Sequence, residues 1–185
     1  GMGATVGKIL GMNHAMKGGV GTTSIHLGGG LIVGALVAVN AFGDVVDPSS
    51  GQILAGAREN EGDAAPGAGP GPFADTLKVL ADLSAGPGMR FGPRENTVIG
   101  VVATNARLNK EQTNKVAQMA HDGLARTVRP AHTMFDGDTI FALATGEVAA
   151  DVNIVGSFAA EVFAQAVVAA VLAAEPAGGL PAARR

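Results

Sequence analysis

The sequence has 185 residues, 47% of them hydrophobic, which is enough for one domain with a substantial core. Its formal net charge is −3 and only 16% of its residues are charged, so we expect no nucleic-acid partner, because no basic surface could neutralise a run of phosphates. The absence of cysteine excludes disulfides, thiolate metal sites and cysteine nucleophiles. Any catalytic chemistry must therefore use hydroxyl, carboxylate, amine and amide groups.

The first half of the chain predicts strands, loops and one short helix. Residues 31–46 are β-branched and apolar with glycine interruptions, which predicts one or two buried strands with Asn40 at the end of the first. The Gly-, Ala- and Pro-rich residues 56–72 have nothing to bury and predict a mobile surface loop. Apolar residues at helical spacing predict a helix over 73–83, and a second loose stretch follows over 84–94.

The second half of the chain alternates strands and helices. The β-branched run 97–104 predicts a strand that is buried on both faces and begins at Thr97. Residues 109–128 have the periodicity of an amphipathic helix, and 139–145 form another apolar strand. Residues 153–175 are rich in Ala and Val and predict a long helix.

This order of elements predicts a mixed α/β fold, with helices packed on a layered sheet in a single domain over 1–185. The apolar run 166–174 is too short to cross a bilayer, which needs about 20 apolar residues. We interpret this run as part of a buried helix and expect no membrane partner.

Asn96-Thr97 lies where a loose segment meets a buried strand. Cleavage of that bond would free an α-amine beside a hydroxyl, so that one residue could supply both nucleophile and base. A threonine hydroxyl is a very weak acid, whereas an α-amine with a pKa of about 8 can accept its proton. The alternative is an ordinary Asn-Thr pair at the start of a strand.

Other polar residues are candidates to assist such a nucleophile. Asp136-Gly137-Asp138 places two carboxylates just before a strand, where they could orient an amine, although a solvated Asp-Gly turn has the same pattern. The amide of Asn40 could donate to an oxyanion or could cap a turn. Lys8 and Lys17 both lie among glycines and could bind a carboxylate or remain exposed loop charges.

The histidines and the glycine-rich segment give no metal or nucleotide signature. His26, His121 and His132 lack metal-ligand spacing, and His121 is expected to be at the surface or half-buried. His132 precedes the acidic pair and is a candidate to brace it. Residues 17–23, K-G-G-V-G-T-T, lack the order of a phosphate-binding loop. We therefore expect neither a metal nor a cofactor.

Four segments resemble the L-aminopeptidase/D-amidase/esterase family, which includes β-aminopeptidases and the nylon-oligomer (6-aminohexanoate-oligomer) hydrolase. They are K-G-G-V-G at 17–21, V-N-A at 39–41, Asn96-Thr97, and the long stretch 121–146. The resemblance implies a four-layer α-β-β-α sandwich of the N-terminal-nucleophile-hydrolase type, which cleaves itself once into two subunits that stay together.

On this resemblance, 1–96 would be the end of the α subunit and 97–185 the β subunit, together forming the C-terminal part of a larger fold. The resemblance makes Thr97 the nucleophile, Asn96 the other side of the cleaved bond and Asn40 the oxyanion residue.

Asp136 and Asp138 match the acidic pair of the nylon-oligomer branch, and Lys8 resembles the lysine of that branch. Lys17 is the second candidate for the lysine role.

The resemblance implies an amide-bond hydrolase, an aminopeptidase or amidase, that acts on small peptides or amide oligomers after autoproteolysis. Expected partners are its own upstream segment or a companion subunit and further copies of itself in a homo-oligomer, and the expected location is cytoplasmic. Two alternatives remain open. One is an acyltransferase of the ornithine acetyltransferase type, and the other is an unprocessed relative with a structural or binding role.

Overall fold

The computed structural model describes residues 1–60, 71–85 and 96–183. The predicted loose segments overlap the two internal gaps, so their central parts lie outside the described residues. In chain order the described elements are β1 (Thr5–Val6), β2 (Met16–Lys17), β3 (Gly19–His26), β4 (Ile32–Asn40), β5 (Asp44–Val46), β6 (Ile53–Ala55), α1 (Thr76–Ser84), β7 (Thr97–Ala106), α2 (Lys110–Thr127), β8 (Val128–Arg129), β9 (Thr139–Val148) and α3 (Val152–Leu172).

The main sheet contains four strands in the order β3-β4-β7-β9. The first three strands pair antiparallel, whereas β7 and β9 run parallel with α2 between them in the chain. Parallel neighbours need such a crossover connection, since a tight turn can join only antiparallel strands. The pairing of β4 with β7 sets Asn40 directly opposite Thr97.

Helices α2 and α3 cover one face of this sheet. The residues beneath them are small or β-branched, and Val37, Val98 and Val102 are fully buried. Glycine is required where α3 crosses β3, because a Cβ on Gly21 would overlap the backbone of Ala166 and Ala170. The small-residue composition therefore lets a long helix lie close to the sheet.

The other face of the sheet is largely uncovered in the described part of the chain. Its apolar side chains are between 46% and 60% exposed, and they are Val20, Leu36, Ile99, Phe141 and Leu143. The prediction that the strand starting at Thr97 is buried on both faces is therefore wrong, since burial alternates along β7. Successive side chains of a strand point to opposite faces, and helices cover only one of them.

The predicted helices are confirmed, with boundaries that differ by a few residues. Asn109 caps α2 in a capping box with Gln112. By length and composition α3 could cross a membrane, but 11 of its 21 residues are buried, and it packs on α2 and the sheet as a core helix.

A smaller sheet, β6-β5-β8, lies beside the end of the main sheet, and β1 pairs with β2 nearby. The predicted loop over 56–72 is shorter at its start than expected. Ala57 and Arg58 are buried there, and Arg58 pairs with Phe73 in an isolated bridge. Residues 61–70 of the predicted loop lie outside the described residues.

We predict that Gly21→Ala destabilises the fold by about 2 kcal/mol or more, because the new Cβ meets the backbone of α3, which cannot move without repacking the core. The matched control is Gly34→Ala on the uncovered face of β4, where the nearest atom, Ser24 Cβ, lies at an ordinary 3.4 Å. This control should change stability by no more than about 0.5 kcal/mol. Urea unfolding measures both, and equal effects would contradict this account of the β3–α3 contact.

Candidate active site

Thr97 lies at the first position of β7, half-buried on the face of the sheet that the helices leave uncovered. Its cross-strand neighbour Asn40 is the last residue of β4 and shares that face. Asn96, which precedes Thr97, is only 2% exposed. The structure therefore places a buried peptide bond, a hydroxyl and a side-chain amide at one end of the sheet.

Two donors hold the carbonyl oxygen of Asn96. The Thr97 hydroxyl donates to it at 2.5 Å, and the Gly137 backbone N–H donates at 2.8 Å. Asn96 also forms an isolated parallel bridge with Asp136. A Cβ on Gly137 would lie 3.1 Å from Thr97 Oγ1, so a side chain at this position would crowd the hydroxyl.

Lys8 is buried, with 4% of the residue exposed, and its ammonium contacts the amides of two asparagines. Its Nζ donates to Asn40 Oδ1 at 2.7 Å and to Asn96 Oδ1 at 2.9 Å. Asn40 Oδ1 also accepts the N–H of Thr5 at 3.1 Å. The Lys8 ammonium and the Thr5 N–H can only donate. The Asn40 amide atom that they contact is therefore the oxygen, and the other atom is the NH₂ donor.

The two carboxylates of the Asp-Gly-Asp segment are held by separate sets of donors. Asp136 accepts the N–H of Phe42 at 3.0 Å through one oxygen and the hydroxyl of Thr133 at 2.6 Å through the other. Asp138 accepts the N–H of Val98, the residue after Thr97, at 2.9 Å. The solvated-turn alternative is therefore wrong for this pair, since both side chains are engaged and Asp138 is only 4% exposed.

The segment that follows Asn40 connects Lys8 to a second anchor. The Phe42 carbonyl accepts the N–H of Lys8 at 3.0 Å. Two residues later, the buried Asp44 carboxylate accepts the N–H of Ala57 at 2.8 Å and the N–H of Thr76 at 2.7 Å. Burial raises the pKa of Asp44, and these hydrogen bonds partly oppose the rise. Asp44 thus ties the backbone beside Lys8 to the start of α1.

The structure brings together all six residues that the sequence proposes for the site: Lys8, Asn40, Asn96, Thr97, Asp136 and Asp138. It separates Lys17, whose buried ammonium donates to the Met2 carbonyl and whose pKa is lowered by that burial.

The backbone donors at Gly137 and Phe42 were not identified from the sequence. The donor at Gly137 could have been suspected only from the glycine between the two aspartates, because the residue type does not show what a backbone N–H contacts. Among the described ranges, no group of three or more His, Asp or Glu residues is arranged to hold a metal ion.

The chain matches the profile of Peptidase family S58 over residues 2–184. It is 46% identical over 182 residues to an uncharacterized aminopeptidase of Mycobacterium tuberculosis, and the match covers 90% of this chain and 51% of the relative. It is 32% identical over 148 residues to the 6-aminohexanoate-oligomer endohydrolase of Paenarthrobacter ureafaciens, covering 80% of this chain and 39% of the relative. The chain thus spans about half the length, or less, of the curated relatives it matches.

Two solved structures have the same fold over most of the described chain. A Burkholderia sp. β-aminopeptidase matches with a TM-score of 0.52 and 27% identity, covering 84% of this chain and 42% of the other. The L-aminopeptidase D-Ala-esterase/amidase of Ochrobactrum anthropi, a variant of the Ntn-hydrolase fold, matches with a TM-score of 0.59 and 24% identity, covering 92% and 44%. The predicted family resemblance and fold class are confirmed.

We predict that replacing Asp44 has a pH-dependent effect on stability. A raised folded-state pKa means that the folded state binds the proton more tightly, so this stabilisation is present below about pH 4 and is lost as pH rises through the folded pKa. Asp44→Asn cannot titrate and turns an NH₂ toward a backbone donor, which costs about 1–3 kcal/mol.

The excess stability of the wild type over D44N should therefore be larger at about pH 4 than at about pH 7. Urea unfolding of both proteins at the two pH values measures this difference. A difference that is constant, or that grows with pH, would contradict the assignment.

Proposed function

This chain belongs to Peptidase family S58, and on that premise we propose that it is an amide-bond hydrolase activated by autoproteolysis between Asn96 and Thr97. Thr97 is then the nucleophile both for self-cleavage and for the hydrolysis of substrates. The observation that carries the proposal is the Asn96 carbonyl, whose oxygen accepts both the Thr97 hydroxyl and the Gly137 N–H.

The geometry supports self-cleavage in two ways. The hydroxyl already lies against the peptide group that it would attack, which removes most of the entropic cost of bringing them together. The Gly137 N–H points at the oxygen on which negative charge would develop, as an oxyanion donor must. In addition, the side chain of Asn96 is held between Lys8 Nζ and the Phe135 carbonyl, so the backbone carbonyl of Asn96 cannot swing away.

The proposed self-cleavage has two balanced steps. Thr97 Oγ1 forms a bond to the carbonyl carbon of Asn96 while the C–N bond to Thr97 breaks, and the hydroxyl proton ends on the departing amine. Water then hydrolyses the resulting ester, which leaves a carboxylate on Asn96 and restores the hydroxyl. The products are two chains, the second of which begins with a free α-amine on Thr97.

In the processed enzyme the Thr97 amine accepts the proton of its own hydroxyl as the oxygen attacks a substrate carbonyl. Asn40, opposite Thr97, is positioned to donate its NH₂ group to the oxyanion, because Lys8 and Thr5 occupy its carbonyl end. Asp136 and Asp138 supply negative charge that favours the ammonium form of the amine. Water then releases the acyl group.

We propose small peptides or linear amide oligomers as the substrate class. One relative is an aminopeptidase by name and another is a 6-aminohexanoate-oligomer endohydrolase. Both kinds of substrate present an unhindered amide carbonyl to a nucleophile at the end of a sheet. The alternative is a reaction of the ornithine acetyltransferase type. It would be detected as acetyl exchange between acetylornithine and glutamate.

We further propose that residues 1–96 and 97–185 form one half of the four-layer sandwich. The uncovered face of the main sheet carries five large apolar side chains and also Thr97, so a second sheet packed about 10 Å away would bury them and wall the site. An upstream segment or a companion subunit would supply that sheet. A homo-oligomer and a cytoplasmic location remain part of this proposal.

Replacing Thr97 with Ala should leave one uncut chain, because it removes the hydroxyl that donates to the Asn96 carbonyl. The matched control, Thr97→Ser, keeps a hydroxyl at the same position and should still be cut. Intact mass and N-terminal sequencing of the complete protein give the result, and the wild type should yield a chain that starts Thr97-Val98-Ile99. Cleavage in the alanine variant would refute the assignment, and an uncut wild type would favour the unprocessed, non-catalytic alternative.

The two buried lysines should differ in their effect on self-cleavage. Lys8→Met keeps the length of the side chain but removes the charge between Asn40 and Asn96, and we expect cleavage to slow by about 100-fold or more. Lys17→Met is the matched control, since its ammonium contacts the Met2 carbonyl, and cleavage should stay within about threefold of the wild type. A time course of the fraction of cleaved chain, measured by gel, gives the cleavage rates of both variants. A larger effect at Lys17 would transfer the lysine role to it.

A further inference from the structure

His132 directs two donors at a single oxygen of Asp138. Its ring Nδ1 lies 3.0 Å from Asp138 Oδ2, and its backbone N–H donates to the same oxygen at 3.3 Å. This arrangement requires an unusual backbone, since His132 has a φ of 55°, in the left-handed region that side chains other than glycine seldom adopt. Such conformations persist where surrounding contacts impose them, and they occur often at functional sites.

The other oxygen of Asp138 accepts the N–H of Val98, the residue that follows the nucleophile. Asp138 therefore bridges His132 and the backbone of Val98, the second residue of β7. The next residue, Thr133, holds the second carboxylate of the site, because its hydroxyl donates to Asp136. Two adjacent residues thus hold the two acidic side chains of the site.

His132 also contacts α2. The ring of His121 lies 4.9 Å from that of His132, between centroids, at an interplanar angle of 55°. Burial, and then the nearby charge of His132, lower the pKa of His121, while Asp138 and Asp122 oppose this shift. The His132 side chain is 39% exposed, whereas that of Asp138 is 4% exposed.

We propose that His132 is a positioning residue for Asp138, which in turn fixes the backbone that follows Thr97. This inference rests on the proposed function. The ring Nδ1 and the backbone N–H of His132 hold Oδ2 of Asp138, so that Oδ1 stays directed at the Val98 N–H.

The expected effect follows from where Asp138 acts. During self-cleavage the nitrogen of Thr97 is still an amide, so Asp138 contributes by fixing the Val98 backbone and, with it, the position of Thr97 Oγ1 against the Asn96 carbonyl. The other charged groups near the pair, Asp136, Asp122 and His121, are unchanged in the variants used below.

Two substitutions separate the ring from the backbone. His132→Asn suits the left-handed conformation, has an amide N–H that can donate to Asp138, and never carries charge. His132→Gly suits the same backbone but has no side-chain donor. Comparing them isolates the hydrogen bond.

The experiment follows self-cleavage of the complete protein during a chase after cell-free synthesis. H132G should cleave about tenfold more slowly than the wild type and H132N within about threefold, as expected for one hydrogen bond to a charged group. Rescue by asparagine distinguishes loss of this hydrogen bond from a general loss of structure, because both variants suit the same backbone.

The inference would be overturned if H132G cleaves as fast as the wild type, or if H132N cleaves as slowly as H132G. If H132G fails to fold, H132N decides the matter alone, since a rate within about threefold of the wild type supports the inference and an about tenfold loss overturns it. Failure of the proposed function gives a different result, namely no cleavage of the wild type, or cleavage of Thr97→Ala. A wild type that cleaves through Thr97, with indifferent His132 variants, would reject only the inference on His132.

Discussion

The site depends on the burial of one ammonium group. Lys8 is 4% exposed, and oxygen atoms of Asn40 and Asn96 replace water around its ammonium group. Those two contacts bind the end of β4 to the residue before β7 and keep Asn96 and its carbonyl in place. The same contact orients the Asn40 amide. Much of the precision of the site therefore follows from the requirement that a buried charge be paired.

The acidic loop before β9 completes the site from the opposite side. It contributes a backbone N–H at Gly137 to the Asn96 carbonyl and two carboxylates that are themselves held by several donors. A catalytic group has to be held within a fraction of an ångström, and hydrogen bonds from a second layer of residues achieve this. Phe42, Thr133 and His132 form that second layer, and none of them has to contact a substrate to matter.

Local patterns predicted most of the elements because strands and helices have different periods. The helix over residues 110–127 carries apolar positions at helical spacing, and β7 is a β-branched run that begins at Thr97. The prediction for β7 was wrong on burial, since a run of Val and Ile does not reveal whether a second layer covers it. The start of the predicted loop over 56–72 was also misjudged, because the contact of Ala57 with Asp44 joins residues 13 apart in the chain.

By itself the sequence determined the order of elements and the family, and it proposed the six polar residues that the structure brings together, because these depend on residue type and short-range spacing. It left Lys8 and Lys17 as rival candidates, since both lie among glycines. Only the tertiary structure separated them, by placing Lys8 between two asparagines that are 32 and 88 residues away in the chain. It alone also identified the Gly137 N–H, because backbone donors are the same in every residue except proline and acquire a role only from where the fold directs them.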